Sequence, residues 1–459
     1  MSEWKAMIPE AAEGRARKSK RFAFAFGYRF FLLMLVGFVW LVPAFVDHRF
    51  VYGLLLWDFL IVVAWVIDLA ALPRAEKLAF RRSWASPLAL SVSSNAVISA
   101  VSEARSSLHI QLWDGIPSSL RREPPRLEMK VPARGSAEGQ YSITPVRRGT
   151  TSASALHLRY EGMLRLAQRW ATADLKQELT VYPNLHEAKR QAVYLIRSRQ
   201  INMEKRFSRI RGAGKSFESL REYRNGDDFA DICWTATARR GKLVTRLYEL
   251  EKSQTIWLVL DTGRLMRTRV GAVSKLDHAV NAGLALSQVA LLTGDRVGLL
   301  AYGRGVQLKV PARRGSSHLR QFVETLAHVR EEESEADHLR AASQVMRDQK
   351  RRSLVVWITE LAETAMTPEV VDAASKLLPR HVVLIAVIGQ PDLRELASNR
   401  PENVADMYQI SAAQEVIHRR ELLLARLRER GALAVEVESS ELAATLVNSY
   451  LQVKQRDQL

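Results

Sequence analysis

TIWLVLD, residues 255–261, is a seven-residue apolar run that ends on a carboxylate, and the helical stretch KLDHAVNAGLALSQVALLTG, residues 275–294, follows it. The same alternation repeats to the end of the chain. RVGLLAYG (296–303), SLVVWITE (353–360), HVVLIAVIG (381–389) and ALAVEVE (432–438) are short apolar runs, and amphipathic stretches lie between them. Runs of this kind, apolar on both faces, read as parallel strands covered by helices on either side. The spacing therefore predicts an α/β domain with a mainly parallel sheet over 251–459. Ligands of such sheets bind beyond the carboxyl ends of the strands. Asp261 and Glu360 close two of these strands, and if the strands are neighbours the two acids converge at one edge. That edge would suit a hard divalent cation such as Mg²⁺. The plainer reading is that each acid caps a turn or a helix.

Working back from this domain, residues 186–250 form a basic helical connector followed by a dense motif, SFESLREYRNGDDFADICWTATARRGKLVTRLYE (216–249). Ser219 and Glu222 have the spacing of a capping box, so FESLREY reads as the start of a helix. Gly226, Asp227 and Asp228 make a tight turn. Trp234 reads as a large apolar anchor, and TATARRGKLVTRLYE as a short helix or turn running into a strand. No nucleophile or base accompanies the acids. They are expected to clamp backbone amides and Arg221, Arg224 and Arg239, and the surface to meet a partner. GAGKS (212–216) is not a phosphate loop: Arg209 stands where its first glycine is needed, and no strand precedes it. No HExxH and no GxSxG occurs.

Residues 84–183 break into short, turn-bounded segments with two-residue alternation, among them SSLHIQLWDG, RLEMKVPA and GQYSITPVRRG. This predicts an antiparallel β-sandwich. Before it, FFLLMLVGFVWLVPAFV and VYGLLLWDFLIVVAWVIDLAAL, within 30–72, are two apolar runs near the length that crosses a bilayer, joined by DHRF. They predict a two-helix transmembrane hairpin. Lys5, Arg15, Arg17, Lys18, Lys20, Arg21 and Arg29 precede it in a basic tail (1–29), and Arg74, Lys77, Arg81 and Arg82 follow it. The positive-inside rule then puts both termini in the cytoplasm of a multi-pass inner (cytoplasmic) membrane protein. Asp58 lies about two turns into the second run, where an ionisable group is a candidate proton or ion site, and Asp68 falls near its inner end.

Composition agrees with that placement. The chain has 459 residues, a net charge of +18 and one cysteine, Cys233. The lone cysteine excludes a disulfide framework or a multi-cysteine metal site. The charge favours anionic partners. The basic run Lys189–Lys215 could take anionic lipid or nucleic acid, and in a membrane-anchored chain lipid is expected before nucleic acid.

The central motif resembles the signature of the domain-of-unknown-function 58 family (DUF58), roughly G-x-E-F-x-x-L-R-x-Y-x-x-G-D-D-x-R-x-I-D-W-x-x-S-A-R. Gly214, Phe217, Leu220, Arg221, Tyr223, Gly226, Asp227, Asp228, Ile232, Trp234, Ala238 and Arg239 match it. YSITPVRRGTTSASALHLRY upstream, and GDRVGLLAYG and LVVWITEL downstream, are similar to the same family. The resemblance implies a von Willebrand factor A-like domain after the motif and a membrane hairpin before it. It also implies a non-enzymatic scaffold that works with a MoxR-type AAA+ ATPase on a client protein. Departures stand out. Cys233 replaces an Asp and Ala230 an Arg. The metal-binding pattern Asp-x-Ser-x-Ser is reduced to Asp261 with Gly263 and Leu265, and Glu360 stands where an Asp is usual. Loss of two hydroxyl ligands should weaken cation binding, and no other cofactor is expected.

Overall fold

A computed structural model describes residues 7–19, 23–184, 216–224, 229–249, 254–361 and 369–456. The chain divides into two compact units, Met1–Tyr182 and Pro183–Leu459.

The first unit is built from β1 (Ala12–Lys18), β2 (Phe24–Phe26), β3 (Leu78–Trp84), β4 (Ser94–Ser102), β5 (Leu108–Asp114), β6 (Arg126–Val131), β7 (Ser136–Ile143), β8 (Gly149–Ala153), β9 (Leu156–Glu161), β10 (Ala167–Ala173) and β11 (Gln177–Val181). Nine of these strands form one antiparallel sheet in the order β6-β5-β9-β10-β1-β3-β4-β7, with β2 added on β10. Strand β1 joins its halves: Ala12–Arg15 pair with β3, and Ala16–Lys18 pair with β10. The two ends of the sheet approach each other. A Cβ on Gly139 of β7 would lie 3.0 Å from Met129 Cε of β6. The result is a barrel-like sheet around a single core that includes Phe80, Ile98, Ile110, Leu112 and Tyr160.

This corrects two expectations. Nine strands form one curled sheet, with β8 and β11 in a separate two-stranded ladder, rather than two packed sheets, because β1 bridges what would have been separate edges. The residues expected as a basic tail supply β1 and β2. Their charges alternate with small or apolar residues, so Ala16 faces the core while Arg15 and Arg17 face out.

Between β2 and β3 the chain makes a helical excursion: α1 (Tyr28–Gly37), a 3₁₀ turn (Phe38–Trp40), α2 (Leu41–Ala44) and α3 (Phe50–Ala71). Among the described residues one helix, Phe50–Ala71, is long and apolar enough to cross a membrane, and the apolar stretch Tyr28–Pro43 is shorter. The expected pair of membrane-length helices is therefore one such helix and a shorter, irregular partner. The two pack side by side. Trp57 Nε1 donates to the Leu33 carbonyl at 3.0 Å, and a Cβ on Gly37 would lie 2.6 Å from the Trp57 ring, so only glycine permits this approach. Asp58 Oδ1 is buried on the same contact. Asp68 is buried too, at the foot of α3.

The second unit opens with the ladder β12 (Ser216–Glu222) and β13 (Val244–Glu249), which encloses the short helix α4 (Trp234–Arg240). The capping-box reading of FESLREY fails here. Register pairing of Leu220 with Arg246 and of Glu222 with Val244 makes the segment a strand, so cross-strand hydrogen bonds override a local preference worth about 1 kcal/mol. The helical connector expected over 186–215 lies outside the described residues.

The α/β sheet follows: β14 (Thr255–Asp261), β15 (Arg269–Val270), β16 (Val273–Ser274), α5 (Lys275–Leu292), β17 (Arg296–Tyr302), β18 (Val306–Arg313), α6 (Ser316–His328), α7 (His338–Asp348), β19 (Leu354–Thr359), α8 (Glu369–Leu377), β20 (Val382–Ile388), α9 (Pro391–Ser398), α10 (Val404–Glu429), β21 (Leu433–Val437) and α11 (Leu442–Gln455). Its order is β18-β17-β14-β19-β20-β21. Strands β17, β14, β19, β20 and β21 run parallel, and β18 is an antiparallel edge. The centre of β14 is buried on both faces through Ile256–Leu260. Each such side chain contributes about 1.5–3 kcal/mol of burial, which explains why TIWLVLD lacks a polar face. From β14 the chain crosses to β17 on one side and later returns to β19 on the other. The strand order thus reverses at the β14/β19 boundary, the place where sheets of this kind open a crevice.

Candidate functional site

The carboxyl ends of β14 and β19 bring Asp261 and Glu360 to this switch point, and both are buried. Their donors differ. Asp261 Oδ1 accepts the Gly263 amide at 2.7 Å, and Oδ2 accepts the Thr359 hydroxyl at 2.6 Å. Burial pushes the Asp261 carboxyl up to about 6, against the pull of these hydrogen bonds.

Glu360 faces cations. Arg420 Nη2 donates to its Oε1 at 2.8 Å, and Lys275 Nζ pairs with its Oε2. Burial pushes the Glu360 carboxyl up and the Lys275 ammonium down, while their mutual charge pulls each back toward ionisation. The chain of charge continues outward: Arg420 Nη1 meets Glu436 Oε1 at 3.0 Å, and Arg394 meets Glu436 Oε2 at 3.2 Å. Five elements are tied together in this way: the start of α5, the end of β19, α10, β21 and α9.

A divalent cation does not fit this donor set. Both Asp261 oxygens accept protein hydrogens, Gly263 and Leu265 offer no side-chain oxygen, and Glu360 is held between an ammonium and a guanidinium. Lys275 supplies the positive charge that an ion would otherwise bring. Among the described residues no group of three or more His, Cys, Asp or Glu side chains is placed to hold a metal. Nearby, Trp357 Nε1 donates to the Tyr302 hydroxyl at 2.6 Å, and His338 Nδ1 lies 2.8 Å from it. Burial holds His338 down to about 4, so it is neutral at pH 7. Tyr302 and Trp357 are sealed in the core, with His338 half-buried beside them, and together they brace the sheet.

Lys275 and Arg420 were not singled out from the sequence, although each leaves a trace there. Lys275 is the first residue of a helix capped by Ser274, where a cation opposes the helix dipole. Arg420 falls on the apolar stripe of α10 with Ile410, Ala413, Leu423, Leu424 and Leu427, a position that a solvated arginine would avoid.

The second candidate is the motif around α4. Arg221 lies on β12, and the Tyr223 amide, just beyond it, donates to the Leu243 carbonyl at 2.9 Å. The Tyr223 ring is 5.7 Å from that of Phe229. Arg239, in the last turn of α4, is exposed. Gly226, Asp227 and Asp228 lie outside the described residues. Trp234, expected as a large apolar anchor, is 66% exposed, and Phe229 is 73% exposed. Trp234 is the first residue of α4. The helix is fixed instead by the Cys233 amide donating to the Val244 carbonyl at 2.8 Å and by the Val244 amide donating to Thr237 Oγ1 at 3.0 Å.

Cys233 occupies the N-cap of α4. The Thr235 hydroxyl, Arg246 and the Ala236 amide lower its thiol to about 7. Ala236 is the third helical residue, whose amide an N-cap Asp would accept. Where the family pattern carries Asp, a readily ionised thiol therefore stands at the N-cap, 3.4 Å from Thr235 Oγ1.

Residues 219–411 match the family model described as "Protein of unknown function DUF58". The matched region covers less than half of the chain. It begins in β12, takes in the Trp234 motif and the switch point, and ends within α10. Relatives include the uncharacterized protein Rv1480 of Mycobacterium tuberculosis, 28% identical over 187 residues, which are 38% of this chain and 59% of that protein. The uncharacterized protein YeaD of Bacillus subtilis is 24% identical over 194 residues, 41% of this chain and 44% of that one. The chain thus spans about three-fifths of the first relative's length and less than half of the second's. Similar solved structures include the conserved hypothetical protein BatB from Bacteroides thetaiotaomicron, with TM-score 0.29, 14% identity, and coverage of 44% of this chain and all of that one. A von Willebrand factor type A protein from Catenulispora acidiphila has TM-score 0.28 and 14% identity, covering 45% of this chain and 43% of that one.

Proposed function

We propose that this chain is a membrane-anchored, non-enzymatic protein-interaction scaffold whose DUF58 region presents the α4 motif to a partner. The exposure of Trp234 and Phe229 within that region carries the reading. Large aromatics left in solvent on a well-bonded element are the side chains that dominate protein interfaces. The switch point supports it from the other side. Its acids are satisfied by Thr359, Gly263, Lys275 and Arg420, which leaves no free acid–base pair or nucleophile there among the described residues.

The anchor is the apolar excursion within residues 30–72, with both termini in the cytoplasm of an inner membrane, in keeping with the flanking basic residues. The family resemblance supplies the class of partner, a MoxR-type AAA+ ATPase together with a folded client. A pull-down of the full chain from detergent-solubilised membranes tests this. Wild-type protein should retain an ATPase of that class or a folded client, and Trp234→Ala combined with Phe229→Ala should lose it. Equal recovery with both forms, or none with either, would overturn the reading.

A further inference from the structure

The turn between β9 and β10, Gly162-Met163-Leu164-Arg165, has an unusual composition for its place. Turns favour Gly, Asn, Asp, Pro and Ser, yet Met163 is 81% exposed and Leu164 is 52% exposed. Arg165 takes the left-handed conformation with φ 58. A glycine or asparagine would sit there with less strain, so the arginine side chain is retained against a backbone cost.

The turn is also clamped to both legs of the helical excursion. On the way in, the Gly27 amide donates to the Leu166 carbonyl at 2.6 Å, and a Cβ on Gly27 would lie 2.1 Å from the Arg165 carbonyl oxygen. On the way out, Asp68 Oδ2 accepts the amides of Leu166 and Ala167, each at 2.9 Å. Arg169 donates to the carbonyl of Leu69 at 2.9 Å. The exposed apolar turn therefore sits where the apolar helices leave the sheet, and it keeps that position relative to them. Tyr28 stands beside it, 56% exposed, with its hydroxyl accepting from Arg29 Nε at 3.2 Å and Arg165 close by. An aromatic with a polar tip, flanked by arginines and next to apolar side chains, is the composition of a membrane–water boundary.

We propose that the Gly162–Arg165 turn docks on the lipid surface beside the anchor, with Met163 and Leu164 entering the acyl boundary and Arg29 and Arg165 holding anionic headgroups. This rests on the reading of the excursion within residues 30–72 as a membrane anchor. It adds that the β-domain is seated on the bilayer rather than tethered above it. The loop 115–125 belongs to the opposite end of the sheet, because β5 and β9 are antiparallel with Asp114 opposite Leu156 and His109 opposite Glu161.

The test uses the full chain with Cys233→Ser, reconstituted in vesicles of phosphatidylethanolamine and phosphatidylglycerol that contain a shallow spin-labelled lipid. An environment-sensitive fluorophore is attached in turn through Met163→Cys, through Leu60→Cys in the middle of α3, and through Glu123→Cys in the far loop. The label at 163 should be blue-shifted and quenched at least several-fold more than the label at 123. A label at 163 as exposed as that at 123, with the label at 60 buried in lipid, would overturn the docking and leave the anchor standing. Labels exposed at both 60 and 163 would overturn the anchor and the docking with it. Equal quenching at 163 in vesicles of phosphatidylcholine alone would overturn the headgroup role given to Arg29 and Arg165.

Discussion

Arg420 reaches from α10 to Glu360 at the end of β19, with Nη2 2.8 Å from Oε1, and Lys275 takes the other carboxylate oxygen. One buried acid is thus shared by two cations from helices that flank the sheet. Removing one partner of such a group leaves charge uncompensated in the interior. Lys275→Met should destabilise the protein by about 2–4 kcal/mol, toward the lower end because Arg420 remains. Adding Glu360→Gln to that variant should recover part of the loss. Urea unfolding of the single and double variants measures both, and additive effects would contradict the coupling.

Asp261 gives a pH signature. Its folded-state value of about 6 lies above the 3.8 of an unperturbed aspartate, so the folded protein holds this proton more tightly than the unfolded chain does. Its contribution is full below about pH 4 and is lost as pH rises through about 6, amounting to about 2–3 kcal/mol. Asp261→Asn keeps the acceptor for the Gly263 amide and should remove this slope, leaving the variant as stable as the parent or more so at pH 7. Denaturant midpoints taken from pH 4 to 8 would show it. Identical pH profiles for the two proteins would refute the assignment.

Divalent cations should have no effect at the switch point. Addition of Mg²⁺ or Mn²⁺ is expected to leave the melting temperature unchanged in the wild type and in Asp261→Asn alike. A rise of several degrees in the wild type alone would restore the metal reading for Asp261 and Glu360.

Cys233→Asp should raise the melting temperature by a few degrees, because a carboxylate at the N-cap accepts the Ala236 amide at every physiological pH. The wild-type thiol, lowered to about 7 from 9.0, strengthens this cap only as it ionises. The wild type should therefore gain stability between about pH 7 and 9, and the Asp variant should not. Thermal melts across that range decide the matter, and a loss of folding in the variant would mean that the thiol is required for packing.

Trp234→Ala should change stability by less than about 0.5 kcal/mol, as surface substitutions do, while partner recovery falls. A loss of several kcal/mol on unfolding would place the ring in a core and remove the basis for an interaction surface.

The sequence by itself determined the parallel strands of the second unit. A strand buried on both faces must be apolar throughout, and that pattern is local. It also determined the apolar excursion, the strand leading from α4, and the placing of Asp261 and Glu360 each at the end of a strand. Only the tertiary structure decided what those acids face. Lys275 and Arg420 lie 85 and 60 residues from Glu360, and no local rule links them. It likewise turned FESLREY into a strand through a partner some 25 residues on, and it drew Ala12–Lys18 into the barrel-like sheet. Hydrogen-bond pairing across long loops depends on which edges are left open, and that is a property of the assembled sheet rather than of any segment.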